Sequence, residues 1–378
     1  MNAFLLKKII VLSLILVSLK SFSQYYKLSK QAKVSVLTCG SGNELYSIYG
    51  HTGIRFLDVD NNLDLVFNYG NFDFATENFY AKFVKGDLQY FVAACSFQDF
   101  MYEYQATNRQ VWEQNLLIND IQKQQLLEEI NKAVFSDEKF YTYKFIDKNC
   151  TTMVLDKINN ILGKLVVTKK TNIDVSYRTV LYSFLDNHFW ENFGINIIFG
   201  SKVDQNAKKL FLPEELMSNL ETSKLNNKRI SKEAVILYKK KPETSTFSFW
   251  NSIYLYCVFL ILIVLINKRT VNIVYLSILG LLGIFFSLVG FYSYHEEISN
   301  NYNVLLFNPS LLILLYYIKI KDNKWIRNLV YFNLFCLAIY LILLINKAHL
   351  LMMLPMIICS ATLLIKIFSK VKLLTTIK

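Results

Sequence analysis

Residues 145–164, FIDKNCTTMVLDKINNILGK, put a cysteine between an asparagine and a run with helical periodicity. Val154, Leu155 and Ile158 recur at the spacing of one helix face. Asn149 has the side chain of an N-cap, so Cys150 is expected at or next to the first helical position. A helix N-terminus carries partial positive charge and backbone N–H groups without intrahelical partners. Both favour thiolate over thiol, and the same N–H groups suit an oxyanion developing in acyl transfer. The residues alone leave Cys150 open between three states: a small buried hydrophobe, half of a disulfide, and a thiolate nucleophile. What precedes it decides the fold that it completes.

Upstream the pattern is that of an α+β domain. Residues 33–40 and 51–58 alternate as strands, and a turn at Asp60-Asn61-Asn62 leads into a third strand over residues 63–70. A short helix over residues 76–85 carries Phe79 and Phe83 on one face and stops at Gly86. DLQYFVAA returns as a strand, and Ser96-x-x-Asp99 opens a helix to about Arg109. QVWEQNLLI is a further strand; Asn119-x-x-Gln122 then opens a helix burying Leu126, Leu127, Ile130 and Val134. Residues 165–245 read as mixed short elements.

Composition divides the chain near residue 246. Overall it is 53% hydrophobic and 15% aromatic, too apolar for an ordinary soluble enzyme. Residues 24–246 carry charges every few positions, whereas residues 247–378 run mostly through Leu, Ile, Val, Phe and Tyr. At the front, Lys7 and Lys8 precede the apolar run 9–19 and small residues before Gln24. That is the layout of a secretory leader over residues 1–23, or of an uncleaved anchor, and it exports the domain over residues 24–246. In the transmembrane domain expected over residues 247–378, five spans are expected, at 247–266, 271–291, 304–318, 326–345 and 350–368. Lys268, Arg269, Lys319, Lys321, Lys324, Arg327 and the C-terminal lysines then all fall on one side, the cytoplasm. The C-terminus is therefore expected there, with the exported domain outside a bacterial inner membrane. The formal charge of +12 is partly this topology signal. Without a Gly-rich phosphate loop, paired-cysteine zinc spacing or an aromatic–basic ladder, it does not indicate nucleic-acid binding. Asn308 and Pro309 interrupt the third span, and the polar stretch HEEISNNYNVLLFNPS precedes it; such groups either line a cavity or form a solvated loop.

A nucleophilic cysteine needs a base. The exported part has two histidines, His51 and His188; His51 begins a strand, which would hold it on a rigid element. Its cysteines are Cys39, Cys95 and Cys150, and a Cys39–Cys95 disulfide in an oxidising compartment would leave Cys150 free.

In this order, YGHTGIRFLD, FNYGNFDF, FYAKFVKGDLQYFV and YKFIDKNCTT resemble the exported domain of bacterial lipoprotein N-acyltransferases of the Lnb type, and HEEISNNYNVLLFNPS is similar to their membrane half. The resemblance spans residues 33–320. It implies a permuted papain-like (NlpC-like) fold, in which histidine precedes cysteine, followed by an all-α bundle of five transmembrane helices. It also implies Cys150 as nucleophile and His51 as base, with Asn68 orienting the imidazole and Tyr69 and Asp147 as alternatives. Asn149 caps the helix. Arg55, four residues along the strand from His51, would meet a phosphate or form a structural ion pair, and His295 would contribute from the membrane side. The implied reaction moves a fatty acyl chain from a phospholipid through a Cys thioester to the amine of a diacylglyceryl-cysteine lipoprotein, without metal or organic cofactor. The rivals are a membrane-anchored cell-wall cysteine peptidase or amidase, a lipid acyl hydrolase, and an exported sensor or scaffold.

Overall fold

The computed structural model describes residues 26–242 and 247–376 of the chain. The leader expected over residues 1–23 and the boundary at residue 246 lie outside them. An antiparallel meander opens the domain: β1 (Lys33–Cys39), β2 (His51–Asp58), β3 (Leu63–Asn71) and β4 (Gln89–Ser96). β2 has the bounds its alternation predicts, and Asn62, at φ 52°, closes the turn in the left-handed region that asparagine tolerates. β5 (Val111–Asn115) adds to the free edge of β1, and β6 (Phe140–Thr142) to that of β4. β7 (Lys224–Leu225) and β8 (Lys228–Arg229) form a separate hairpin, and β9 (Val235–Tyr238) completes the main sheet beside β5. The seven-stranded order is β6-β4-β3-β2-β1-β5-β9.

Helices cover both faces of this sheet. α1 (Phe79–Lys85) ends at Gly86, φ 75°, where the sequence places its stop. α2 (Phe97–Ala106), capped by Ser96, buries Phe100 and Tyr104 on the face carrying Leu37, Cys39 and Val66. α3 (Asp120–Val134), opened by the Asn119–Gln122 capping box, and α4 (Cys150–Ile161) cover the other face. There Leu126, Ile130, Val154 and Ile158 pack on Val36, Ile54, Phe56 and Phe67. Burial of each such side chain contributes about 1.5–3 kcal/mol, which seats α4 firmly against β2 and β3. The short elements that follow are α5 (Tyr177–Tyr182), α6 (Phe189–Ile198) and α7 (Pro213–Thr222).

The C-terminal region is helical: α8 (Ile253–Ile266), α9 (Arg269–Tyr292), α10 (Ser310–Ile320), α11 (Asn323–Leu344) and α12 (Leu350–Thr376). Four segments among the described residues are long and apolar enough to cross a membrane: Arg269–Tyr292, Glu296–Ile320, Asn323–Leu344 and Leu350–Val371. The first of the five expected spans is shorter than composition suggests. α8 has 14 residues, about 21 Å of helix against a hydrocarbon core of about 30 Å. Asn251 explains the late start: its Oδ1 accepts from the Trp190 N–H at 3.2 Å and its Nδ2 donates to the Asn187 carbonyl at 3.1 Å, gripping α6 instead of extending α8. The third span is broken where Asn308 and Pro309 stand, a 3-10 turn at Tyr302–Leu305 preceding α10. Gly283 of α9 seats that break, since a Cβ there would lie 1.9 Å from the Phe307 carbonyl oxygen.

The polar stretch ahead of α10 keeps Glu296 and Asn300 exposed and turns its other asparagines inward. Asn301 and Asn303 are buried, and their amides donate to the carbonyls of Asn196, Ile197, Ile198 and Phe199 at the C-terminal end of α6. Arg178 serves the same end, donating to Asn196, Phe199 and Gly200 carbonyls. This loop is thus the clamp between the N-terminal domain and the apolar helices.

Candidate active site

Asn149 caps α4 as its residue type predicts. Its Oδ1 accepts from the N–H groups of Thr151 (2.9 Å) and Thr152 (3.0 Å), while its own N–H donates to Thr152 Oγ1 (2.8 Å). Its Nδ2 donates to the carbonyls of Phe145 (2.8 Å) and Phe211 (2.9 Å), fixing the chain on both sides of the cap. Cys150 is therefore the first residue of α4, and its N–H is the first-turn donor that Asn149 does not take. The thiol is partly exposed. Gly70 faces it across β3, at φ 93°, where an added Cβ would lie 3.6 Å from that of Cys150.

His51, the first residue of β2, follows Gly50 at φ 82° and lies near enough to Cys150 for each group to shift the other's pKa. The strand and the helix are held in register by the buried Thr52–Thr151 hydroxyl pair, 3.0 Å apart. His51 Nε2 lies 3.1 Å from Asn68 Oδ1. Asn68 is two residues from His51's level on β3, opposite Gly53, whose missing side chain leaves space for that amide. The Nδ2 of Asn68 donates to Cys95 Sγ at 3.4 Å, which orients Oδ1 toward the ring. His51 Nε2 then carries the hydrogen and Nδ1 is left for the sulfur. Burial pushes the Cys150 thiol up, but the charge and hydrogen bond of His51 and donors from Thr52 N–H and Thr151 bring it below its ordinary value. Burial lowers His51 in turn, and the Cys150 charge and the Cys150 and Asn68 hydrogen bonds outweigh this and raise it. Each group thus favours the charged form of the other.

The other residues singled out in the sequence lie elsewhere. Tyr69 alternates to the α3/α4 face of the sheet and is buried there beside Tyr141. Asp147 binds Lys202 and Lys209, not the imidazole. Arg55 is a structural ion pair, with Asp64 at 2.7 Å, Glu113 at 3.0 Å and the Phe97 ring beneath it. His295 packs on Gly86, its Nε2 2.8 Å from the Phe83 carbonyl, apart from the Cys150–His51 pair. All six cysteines are free. Cys39 and Cys95 sit on β1 and β4 with two strands between them, about 14 Å at the usual strand spacing and far beyond disulfide reach.

Residues 19–183 match the Lnb N-terminal periplasmic domain. The match covers His51, Asn68 and Cys150 together, and the four long apolar helices follow it in the chain. No curated protein and no solved structure matches. The Lnb-like domain is thus an α+β unit ahead of a membrane-type helical region.

Sequence reasoning missed three contributors. The backbone N–H of Thr52 helps to lower the Cys150 pKa, a property of strand geometry that no side-chain pattern encodes. Tyr104 stacks on the imidazole, ring centroids 6.4 Å apart at 17°. The loop at 296–297 clamps the segment that leads to Cys150: Ile146 N–H donates to buried Glu297 Oε1 at 3.2 Å, and Lys144 and Lys202 bind Glu296 at 2.6 and 2.8 Å. Only the Asn149-Cys150 dipeptide and the strand position of His51 carried a local signal.

Proposed function

We propose that this chain is a lipoprotein N-acyltransferase of the Lnb type, using Cys150 as nucleophile and His51 as proton carrier. What supports this reading is the placement of Cys150 at a helix N-terminus near His51, whose ring lies 3.1 Å from Asn68, with the segment before Cys150 clamped by the loop at residues 296–297. In the first half-reaction the Cys150 thiolate attacks an ester carbonyl of a phospholipid and a C–S bond forms. The oxyanion is held by the N–H groups of Cys150 and Thr52. The ester C–O bond breaks as the His51 imidazolium gives its proton to the departing lysophospholipid. In the second, the neutral α-amine of a diacylglyceryl-cysteine attacks the thioester. His51 takes the amine proton, the C–N bond forms, and the thiolate leaves. Splitting the transfer at a covalent intermediate makes each half easier. Phe72, Phe74, Phe79 and Phe83 form an aromatic cluster on the same domain, an apolar surface suited to an acyl chain.

The domain works at the outer leaflet of the inner membrane, with the C-terminus of the chain in the cytoplasm. Mass spectrometry of mature lipoproteins tests the proposal. An amide-linked acyl chain should be lost without the protein and restored by wild type but not by Cys150→Ala. Unchanged N-termini would remove the reading. Release of free fatty acid in place of transfer would make the protein a lipid hydrolase instead.

A further inference from the structure

Three arginines are buried among the described residues: Arg55 (9% exposed), Arg109 (6%) and Arg178 (2%). Two are saturated. Arg55 holds Asp64 and Glu113, and Arg178 holds Asp204 and a set of backbone carbonyls. Arg109 is not. Its Nε donates to the Gly40 carbonyl at 3.0 Å and its guanidinium lies 4.7 Å over the Tyr104 ring, but its Nη2 is buried without a hydrogen-bond partner. No ion pair with a carboxylate reaches it among the described residues. A guanidinium taken out of water without a counter-charge costs on the order of several kcal/mol.

Its placement is built. Asn108, at φ 50°, turns the chain back after α2, and the Arg109 N–H donates to the Tyr104 carbonyl at 2.8 Å. The loop over residues 40–50 then wraps the side chain. Gly42 fits only without a Cβ, which would stand 2.4 Å from Ser47 Oγ and 3.0 Å from Arg109 Cδ. The ring under Arg109 is the same Tyr104 that stacks on His51, so one aromatic contacts both cations of the site. The tip of that loop, Leu45 and Tyr46, is 55% and 67% exposed, whereas Arg109 beneath the loop is 6% exposed.

We infer that Arg109 is an anion-binding residue of the site, taking the phosphate oxygens of a glycerophosphate-based acyl donor. For the identity of the donor this rests on the acyl-transfer reading above. The ester carbonyls of a glycerophospholipid are a few bonds from its phosphodiester, so a cation beside the Cys–His pair meets that group as the carbonyl meets the sulfur. Guanidinium matches phosphate geometry in a bidentate way that an ammonium does not. The acceptor presents an amine and no phosphate, so it offers the guanidinium no counter-charge. Arg109 is therefore assigned to the donor.

The test uses the full-length protein with Arg109→Gln and Arg109→Lys. Acylation of Cys150 is measured as hydroxylamine-labile label from phosphatidyl-lipid vesicles and from an uncharged p-nitrophenyl acyl ester. Arg109→Gln should lose at least tenfold more rate with the phosphatidyl donor than with the neutral ester, and Arg109→Lys should fall between; equal losses on both donors overturn the inference. Separately, inorganic phosphate and glycerol 3-phosphate should slow iodoacetamide alkylation of Cys150 in wild type but not in Arg109→Gln. Protection retained in that variant overturns it. Protection by glycerol 3-phosphate alone assigns the site to the lipid headgroup rather than to free phosphate. Should no donor acylate Cys150 while protection still needs Arg109, the anion site stands and the acyltransferase proposal falls.

Discussion

The N-terminus of α4 and the C-terminus of α6 approach each other through the Phe145 and Phe199 rings, 5.9 Å apart, yet they are finished in opposite ways. At the end of α6 the backbone acceptors are filled: Asn301, Asn303 and Arg178 donate to the carbonyls from Asn196 to Gly200. Tyr340 in turn donates to Asn303 Oδ1 at 2.6 Å, tying that cap to α11. At the start of α4, Asn149 takes the donors of Thr151 and Thr152 and leaves that of Cys150. A closed end is an anchor, because every buried polar group there has a partner that would be lost on separation. An open end holds binding energy in reserve for a ligand. The difference teaches where rigidity serves the fold and where incompleteness serves chemistry.

The largest effect should come at the open end. Cys150→Ala should abolish the hydroxylamine-labile acyl label altogether. His51→Ala should lower acylation by about 10²–10⁴, the usual scale for a positioned proton carrier. It should also move the pH dependence of iodoacetamide alkylation. Burial raises the Cys150 thiol and the imidazole brings it back below its ordinary value. Removing the imidazole leaves burial unopposed by it, so the inflection must rise. An inflection unmoved in His51→Ala would show that the two groups are not coupled and would collapse the contrast.

At the closed end the expected loss is stability rather than chemistry. Asn303→Ala strips partners from three carbonyls and from the Tyr340 hydroxyl in a buried site. Each buried group left unpaired costs about 1–3 kcal/mol. With Asn301 and Arg178 sharing part of the load, a loss of about 2–3 kcal/mol is expected, read as a lowered thermal midpoint. The alkylation inflection of Cys150 should stay where it is. If the midpoint holds but the inflection shifts, the loop belongs to the site rather than to the anchor.

Between these lies the cap itself. Asn149→Ala removes the acceptor of two first-turn N–H groups and two donors to flanking carbonyls. The typical cost of losing an N-cap is about 1–2 kcal/mol. Thermal unfolding checks it, and a loss below about 0.5 kcal/mol would mean that helix packing alone holds Cys150 in place.

Residue by residue, the legible parts were those whose partners lie close in sequence or follow from a strict period. Asn149, Ser96 and Asn119 were readable as caps because capping spans three residues. Asn68 was readable because the turn at residues 60–62 fixes the hairpin register and brings it opposite Gly53. Asp147 was misplaced because its lysine partners are 55 and 62 residues away and nothing local announces them. Arg55 carried both readings, and only the cross-strand neighbours Asp64 and Glu113 decided for the ion pair. Hydropathy located the membrane helices but overcounted at residues 247–252, where Asn251 is committed to α6. Arg109 had no signal at all. Its meaning lies in a partner that is missing, which a sequence does not record.

The smallest expected effect sharpens the account of the open end. Asn68 belongs to neither terminus; its Oδ1 meets the far nitrogen of His51 while its Nδ2 donates to Cys95. Asn68→Ala should therefore leave the cap, the anchor and the thiol's position intact while freeing the ring to rotate. A loss of about one hydrogen bond, on the order of 1 kcal/mol, corresponds to a fall of roughly fivefold to tenfold in acylation rate. Its pH signature is separate from that of His51→Ala. Accepting from Nε2–H favours the protonated ring, so Asn68 helps raise the His51 pKa. Without it the imidazolium is lost at lower pH, and the alkaline limb of the acylation profile should move toward acid while the acid limb stays nearly fixed. Asn68→Asp should shift the alkaline limb the other way, because a carboxylate favours the imidazolium more strongly than an amide. Opposite shifts from the two variants would make Asn68 a positioning residue that acts through His51. Shifts in the same direction would mean that the change at residue 68 acts on the fold around the site instead.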